Sequence, residues 1–180
     1  MNNNTEYHPF AKFLHWTVVV LVAIQFVLAG IMGGARRGNP DFFLNLHMSF
    51  GVTILPFVFL LLFMRFFRPV DKPEMLNPRW QEKAAVVVHY LLYLLLILVP
   101  ISGWAFASVN GLTINLFGVF TLPVLFIQGS SVGNTIGEMH STLATLIGIL
   151  IAGHIGAAFY HHFILKDSVL GRMLPRGRRK

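Results

Sequence analysis

Eight histidines occur in a chain of 180 residues that has no cysteine. Five of them, His15, His47, His89, His140 and His154, fall well inside long apolar stretches, and His161 and His162 stand at the end of the last. An ionisable residue at membrane depth costs ~2.5 kcal/mol or more when charged, and still needs a partner when neutral. Any one such histidine is as readily a helix–helix hydrogen bond as a ligand. Five in one small protein need another account, because Glu138 is the only acidic residue inside a predicted span. A proton relay mixes Asp or Glu with His, whereas neutral imidazoles without carboxylates suit a metal or a haem iron. The lack of cysteine excludes disulfides, iron–sulfur clusters, zinc–thiolate sites and c-type haem attachment.

The elements that must position these imidazoles are long and apolar. Of the residues, 55% are hydrophobic and 12% charged, with a mean hydropathy of +0.66. A soluble domain carries about 25% charged residues, so disorder and an ordinary soluble enzyme are excluded. A hydrocarbon core ~30 Å thick needs about 20 apolar residues of helix. Four stretches qualify, at about 10–32, 42–67, 84–109 and 136–165. The expected fold is therefore all-α, one integral membrane domain over 1–180 built as a four-transmembrane-helix bundle. The first stretch exceeds a signal-peptide core and lacks a small-residue cleavage site, so it reads as a mature helix. Gly33-Gly34, Gly38 and Asn39-Pro40 mark the first turn, and Pro69, Pro73 and Pro78 the second loop. Pro100 is expected to kink the third helix. Residues 110–135 carry no charge, and their apolar core of 16 residues is short for a span. They read as a surface or re-entrant segment.

The net charge of +7 reflects basic residues set between apolar runs, which argues for membrane topology and against nucleic acid as a partner. With the N-terminus inside, twelve Lys and Arg lie on the inner side and only Arg36 and Arg37 on the outer. Both termini are then cytoplasmic, and a fifth span, which would put the basic tail outside, is disfavoured.

Depth sorts the imidazoles into two levels. His140 and His154 are 14 residues apart, or ~21 Å along a helix and within ~40° of one face. His15 lies near the inner end of the first helix, level with His154. His47 lies near the outer end of the second, level with His140. Two cross-helix pairs result, each able to clamp one haem iron axially, whereas a Zn or Cu site would need three or four donors at one level. His89, about one and a half turns into the third helix, stands at a depth where it can replace His15, and geometry alone leaves that choice open. Gly51, Gly148, Gly153 and Gly156 would let a flat macrocycle approach the backbone, or serve ordinary small-residue packing.

The chain resembles the bacterial cytochrome b561 family. The likeness is carried by His15-Trp16, His47-x-x-x-Gly51, and Lys83 through His89-Tyr90-Leu91-Leu92-Tyr93 to Pro100-x-x-Gly103. It is strongest in His140, His154, His161-His162, Lys166-Asp167 and Arg172-Met173-Leu174-Pro175-Arg176. The resemblance implies a bundle of the bacterial inner membrane holding two b-type haems and exchanging electrons with quinone, ubiquinone being the expected cofactor. It also implies the pairs His15–His154 and His47–His140, as in the similar cytochrome subunits of formate dehydrogenases and hydrogenases. One family member oxidises superoxide with ubiquinone, so a small periplasmic donor such as superoxide is the expected partner, beside membrane lipid.

Further candidates follow. Arg36 and Arg37 are placed to meet haem propionates or to steer an anionic donor. Lys83 is a candidate propionate contact. His89, His161 and His162 are candidates for a quinone and proton site, since a reduced quinone gains protons with its electrons. The leading reading is a stand-alone oxidoreductase of superoxide:ubiquinone type. Its rivals are a haem-bearing anchor and electron-relay subunit docked to a partner redox subunit, and a small transporter or assembly protein without haem.

Overall fold

The computed structural model describes residues 7–34, 40–67, 79–129 and 132–174. In chain order the elements are α1 (Pro9–Gly34), α2 (Pro40–Phe67), α3 (Arg79–Val109), β1 (Asn115–Leu116), β2 (Phe120–Thr121) and α4 (Gly133–Phe159). A π-helical turn, Tyr160–Leu165, extends α4. All four α-helices are long and apolar enough to cross a membrane, and only helices or closed barrels satisfy every backbone group there. Asp41 in the first turn of α2 and Arg65 in its last complement the helix dipole. The helices run on through Pro56 and Pro100. The third span begins five residues before its predicted start, because the polar turn Arg79–Lys83 is helical too.

The densest packing lies between α1 and α2. Leu14, Val18 and Leu21 meet Ile54, Val58 and Leu61, with Tyr93, Leu96 and Ile97 of α3 against them. Packing then proceeds in sequence, α2 on α3 and α3 on α4. Among the described residues α4 makes no close backbone approach to α1 or α2. Ile147 is the one buried residue of α4. Phe26 of α1 still reaches it, since a Cβ added to Gly148 would lie 3.3 Å from the Phe26 ring. The outward faces of all four helices are exposed and apolar, Phe13, Val27, Phe66 and Ile149 among them.

The uncharged segment after α3 neither spans nor straggles. It folds into an antiparallel hairpin, with Leu116 opposite Phe120 and Asn115 opposite Thr121, laid over one end of the bundle. Buried Ser49 of α2 holds it: its hydroxyl lies 3.3 Å from Asn115 O and accepts the Phe117 N–H at 3.2 Å. Trp104 Nε1 donates to Pro123 O at 3.0 Å, and Leu125 N to Ser108 Oγ at 3.0 Å. Phe117 adopts φ +51°, a left-handed conformation that is an outlier for a bulky residue. Its ring is seated on Phe50 at 5.0 Å.

At the other end the chain after α4 folds back on α1. Trp16 Nε1 donates to Met173 O at 3.0 Å and Lys12 Nζ to Leu174 O at 3.4 Å. Arg172 is buried, its guanidinium 5.7 Å from the Tyr7 ring centre. The bundle thus has a hairpin end and a tail end.

Candidate functional site

The five span histidines gather into two tiers. In the hairpin tier, His47 stands in the second turn of α2 and His140 in the second turn of α4. Their ring centres are 6.3 Å apart and their planes cross at 89°. Two metal–imidazole bonds of ~2.0–2.1 Å each, plus the two ring radii, add up to about this separation. His140 Nδ1 donates to Val99 O at 3.0 Å, with Ser102 Oγ at 3.2 Å. With the proton held on Nδ1, Nε2 is left as a free ligating nitrogen. Ser102 itself donates to Val99 O at 2.8 Å, which fixes both groups on α3. His47 Nδ1 is buried without a hydrogen-bond partner among the described residues, which carries a desolvation cost.

A cavity of about 270 Å³ adjoins this pair, lined by His47, His140, Gly51, Gly103 and apolar side chains that include Leu112 and Ile114 from the segment leading into the hairpin. Its walls are almost wholly apolar, as a porphyrin face requires. Gly103 has a specific role: a Cβ there would sit 2.9 Å from His140 Cε1. Only glycine leaves the ring its place. Gln25 Nε2 donates to His47 O at 2.9 Å and braces the start of α2 against α1.

The tail tier holds three imidazoles. His89 of α3 packs edge-on against His154 of α4, ring centres 5.1 Å apart and planes at 85°. His89 Nδ1 donates to Ala85 O at 2.6 Å, so its Nε2 is also unprotonated. His15 and His89 line one cavity of about 60 Å³ with Arg65, Tyr93, Tyr7 and Met173. The two candidate partners for His154 thus share one tier. The ring adjacent to His154 is His89, at a separation too short for an iron between them. Among the described residues no three His, Asp or Glu groups converge to hold a bare metal ion. The donor sets suit a cofactor with its own equatorial ligands.

The remaining predicted residues are dispersed. Lys83 is exposed in the second turn of α3 and does not line the tail-tier cavity, whereas Arg65 does. His161 is held by Asp167: its Nδ1 is 2.5 Å from Oδ2, while Oδ1 accepts the Val169 N–H at 3.0 Å. His162 is exposed, its ring 4.8 Å from that of Phe163. Arg36 and Arg37 lie outside the described residues. Sequence reasoning gave no role to Ser49, Ser102, Gln25 or Asp167. Gln25 carried a visible signal, as an amide in an apolar run. The serines did not, because what each holds comes from another element.

Comparison with known proteins converges on one group. The sequence model of the prokaryotic cytochrome b561 family matches residues 6–176. Cytochrome b561 homolog 1 of Escherichia coli (strain K12) is 33% identical over 168 residues, 91% of this chain and 94% of the relative. A probable superoxide oxidase of Yersinia pestis is 31% identical, over 92% of this chain and 93% of its own length. Cytochrome b561 homolog 2 of Escherichia coli (strain K12) is 28% identical, over 97% and 94%.

Proposed function

The chain belongs to the prokaryotic cytochrome b561 family, a multi-pass membrane protein of electron transfer, and from that premise we propose that it carries electrons between a donor at the hairpin end and quinone at the tail end. The observation that supports this best is the His47–His140 pair, two imidazoles from different helices at 6.3 Å beside an apolar cavity. His47 and His140 hold one haem b, and His15 and His154 hold a second. A bis-imidazole haem supplies one-electron exchange without binding O₂. The tiers are ~21 Å apart along α4, from the 14 residues between His140 and His154.

The protein's own groups do the rest. Val99 O and Ser102 keep the His140 proton on Nδ1, so that Nε2 ligates. The hairpin and its lead-in, through Leu112 and Ile114, wall the hairpin tier against water. At the tail end Arg65, in the cavity with His15 and His89, balances propionate charge. Asp167 holds His161 by Nδ1, which leaves Nε2 to pass a proton toward a quinone being reduced. The bias of Lys and Arg puts the tail end in the cytoplasm and the hairpin end in the periplasm of a bacterial inner membrane. The donor is then periplasmic. Superoxide is the favoured one, because a relative bears the name probable superoxide oxidase, and Arg36 and Arg37 would draw in an anion.

The test uses the purified full-length chain alone, anaerobically, with superoxide and a short-chain ubiquinone. The reading expects two haems b per chain by pyridine haemochrome. It further expects superoxide to reduce them and quinone to reoxidise them with no other subunit present. Haems that stay oxidised until a partner dehydrogenase is added would overturn the stand-alone reading in favour of a relay subunit. A colourless, folded protein would overturn both.

A further inference from the structure

From Phe117 to Ile127 the hairpin segment exposes a run of large apolar side chains. Val119 is 81% and Ile127 87% exposed, with Phe120, Val124 and Phe126 each at least half exposed. No residue from 110 to 135 is charged. A water-facing loop of this length carries charges or small polar residues, and a contiguous apolar patch marks an interaction surface. Exposed apolar side chains also stand at the hairpin end of the helices, Phe42 at the start of α2 and Met139 at the start of α4.

The backbone points the same way. Non-helical chain tolerates lipid only when its polar groups are satisfied within the protein. Here Gly118 N donates to Asn115 O, Val119 N to Leu116 O, Leu122 N to Ile114 O and Gly129 N to Val109 O, at 2.9 to 3.4 Å. Leu125 N, Phe117 N and Pro123 O are taken by Ser108, Ser49 and Trp104. The hairpin spends its hydrogen bonds on its own bundle and turns its side chains outward.

We propose that the hairpin segment Phe117–Ile127 is seated in the bilayer, its partner being the acyl-chain border of the leaflet at that end, so that the bundle's cap is anchored in lipid instead of standing in water. The side chains that hold the cap to the protein and those that hold it to the membrane are different sets. Ser49, Ser108 and Trp104 face inward, and Val119, Val124 and Ile127 outward.

The absence of native cysteine makes the test direct. Val119→Cys and Ile127→Cys, each in the full-length haem-loaded protein, are labelled with a nitroxide and placed in phosphatidylglycerol–phosphatidylethanolamine vesicles. Ile149→Cys, at an exposed mid-span position of α4, is the lipid reference, and free nitroxide in buffer the aqueous one. The expected result is several-fold more collision with oxygen than with a water-soluble nickel chelate, close to the Ile149 ratio. A ratio near the buffer value means a solvated cap and overturns the proposal. Exclusion of both quenchers, with dipolar broadening between labels, means a second copy covers the face and overturns it equally. Unchanged haem absorption in each variant certifies the fold. As a second measurement, Val119→Asp with Ile127→Asp should raise the nickel collision rate at a label on Val124→Cys if lipid holds the segment, and an unaltered rate counts against it.

Discussion

The two histidine tiers are built from the same side chain and share only α4, yet their rings are arranged differently. In the hairpin tier the two rings stand 6.3 Å apart, one proton is pinned by Val99 and Ser102, and Gly103 clears the space for the ring. In the tail tier His89 and His154 touch ring to ring at 5.1 Å, and His15 stands beside them in a small cavity. The difference lies in what surrounds the imidazoles. The hairpin tier is braced by α3 at His140 and by Gln25 at the start of α2. The tail tier is closed by a chain segment folding back on α1, through Trp16 and Lys12. A preorganised pair binds with less reorganisation than a cluster that must first part.

The harshest way to break the comparison is to remove a ligand. His140→Ala should take haem content from the proposed two per chain to one, read by pyridine haemochrome, with the remaining signal belonging to the tail tier. Loss of both haems would show that the tiers are not independent. The tail tier is sharpened by a pair of variants. His15→Ala should abolish its haem, and His89→Ala should keep it with an altered low-spin signal in electron paramagnetic resonance. The reverse outcome would make His89 the ligand.

A milder contrast sets two glycines against each other. Gly103→Ala drives a methyl into the His140 ring and should cost ~1–3 kcal/mol of fit, seen as partial loss of the hairpin-tier haem. Gly153→Ala, one residue before His154, meets nothing within 4 Å and should leave the tail tier unchanged. The smallest effect is expected of Ser102→Ala. It removes one of the two groups at His140 Nδ1 and should weaken haem retention by about tenfold at most, measured as haem transfer to apomyoglobin.

The elements legible in the sequence were those whose cause is local. Four apolar runs became four helices, since lipid leaves the backbone no other partner. Helix depth put His47 level with His140, and the structure brings those rings together. Depth gives height and not azimuth, which is why His15 and His89 could not be separated beside His154. Azimuth depends on how α3 turns against α4. The uncharged segment reads as a surface or re-entrant segment, and its hairpin is not legible for a similar reason. Phe117 at positive φ has no local cause and is held by Ser49 and Phe50, 67 or more residues earlier in the chain. Gly103 stood in the sequence as part of a motif, but the ring it shelters belongs to another helix.

Among the described residues the fourth helix brings its backbone close to the third alone, meets the first through Phe26 at Gly148, and carries one imidazole of each tier. Its hold on the first two helices is by side chains, Phe26 against Gly148 and His47 beside His140. Helices one to three pack around Leu14 and Val58, and the fourth joins them chiefly through the third. A group bound between His47 and His140 would therefore stitch the fourth helix directly to the second, a link that close backbone packing does not supply.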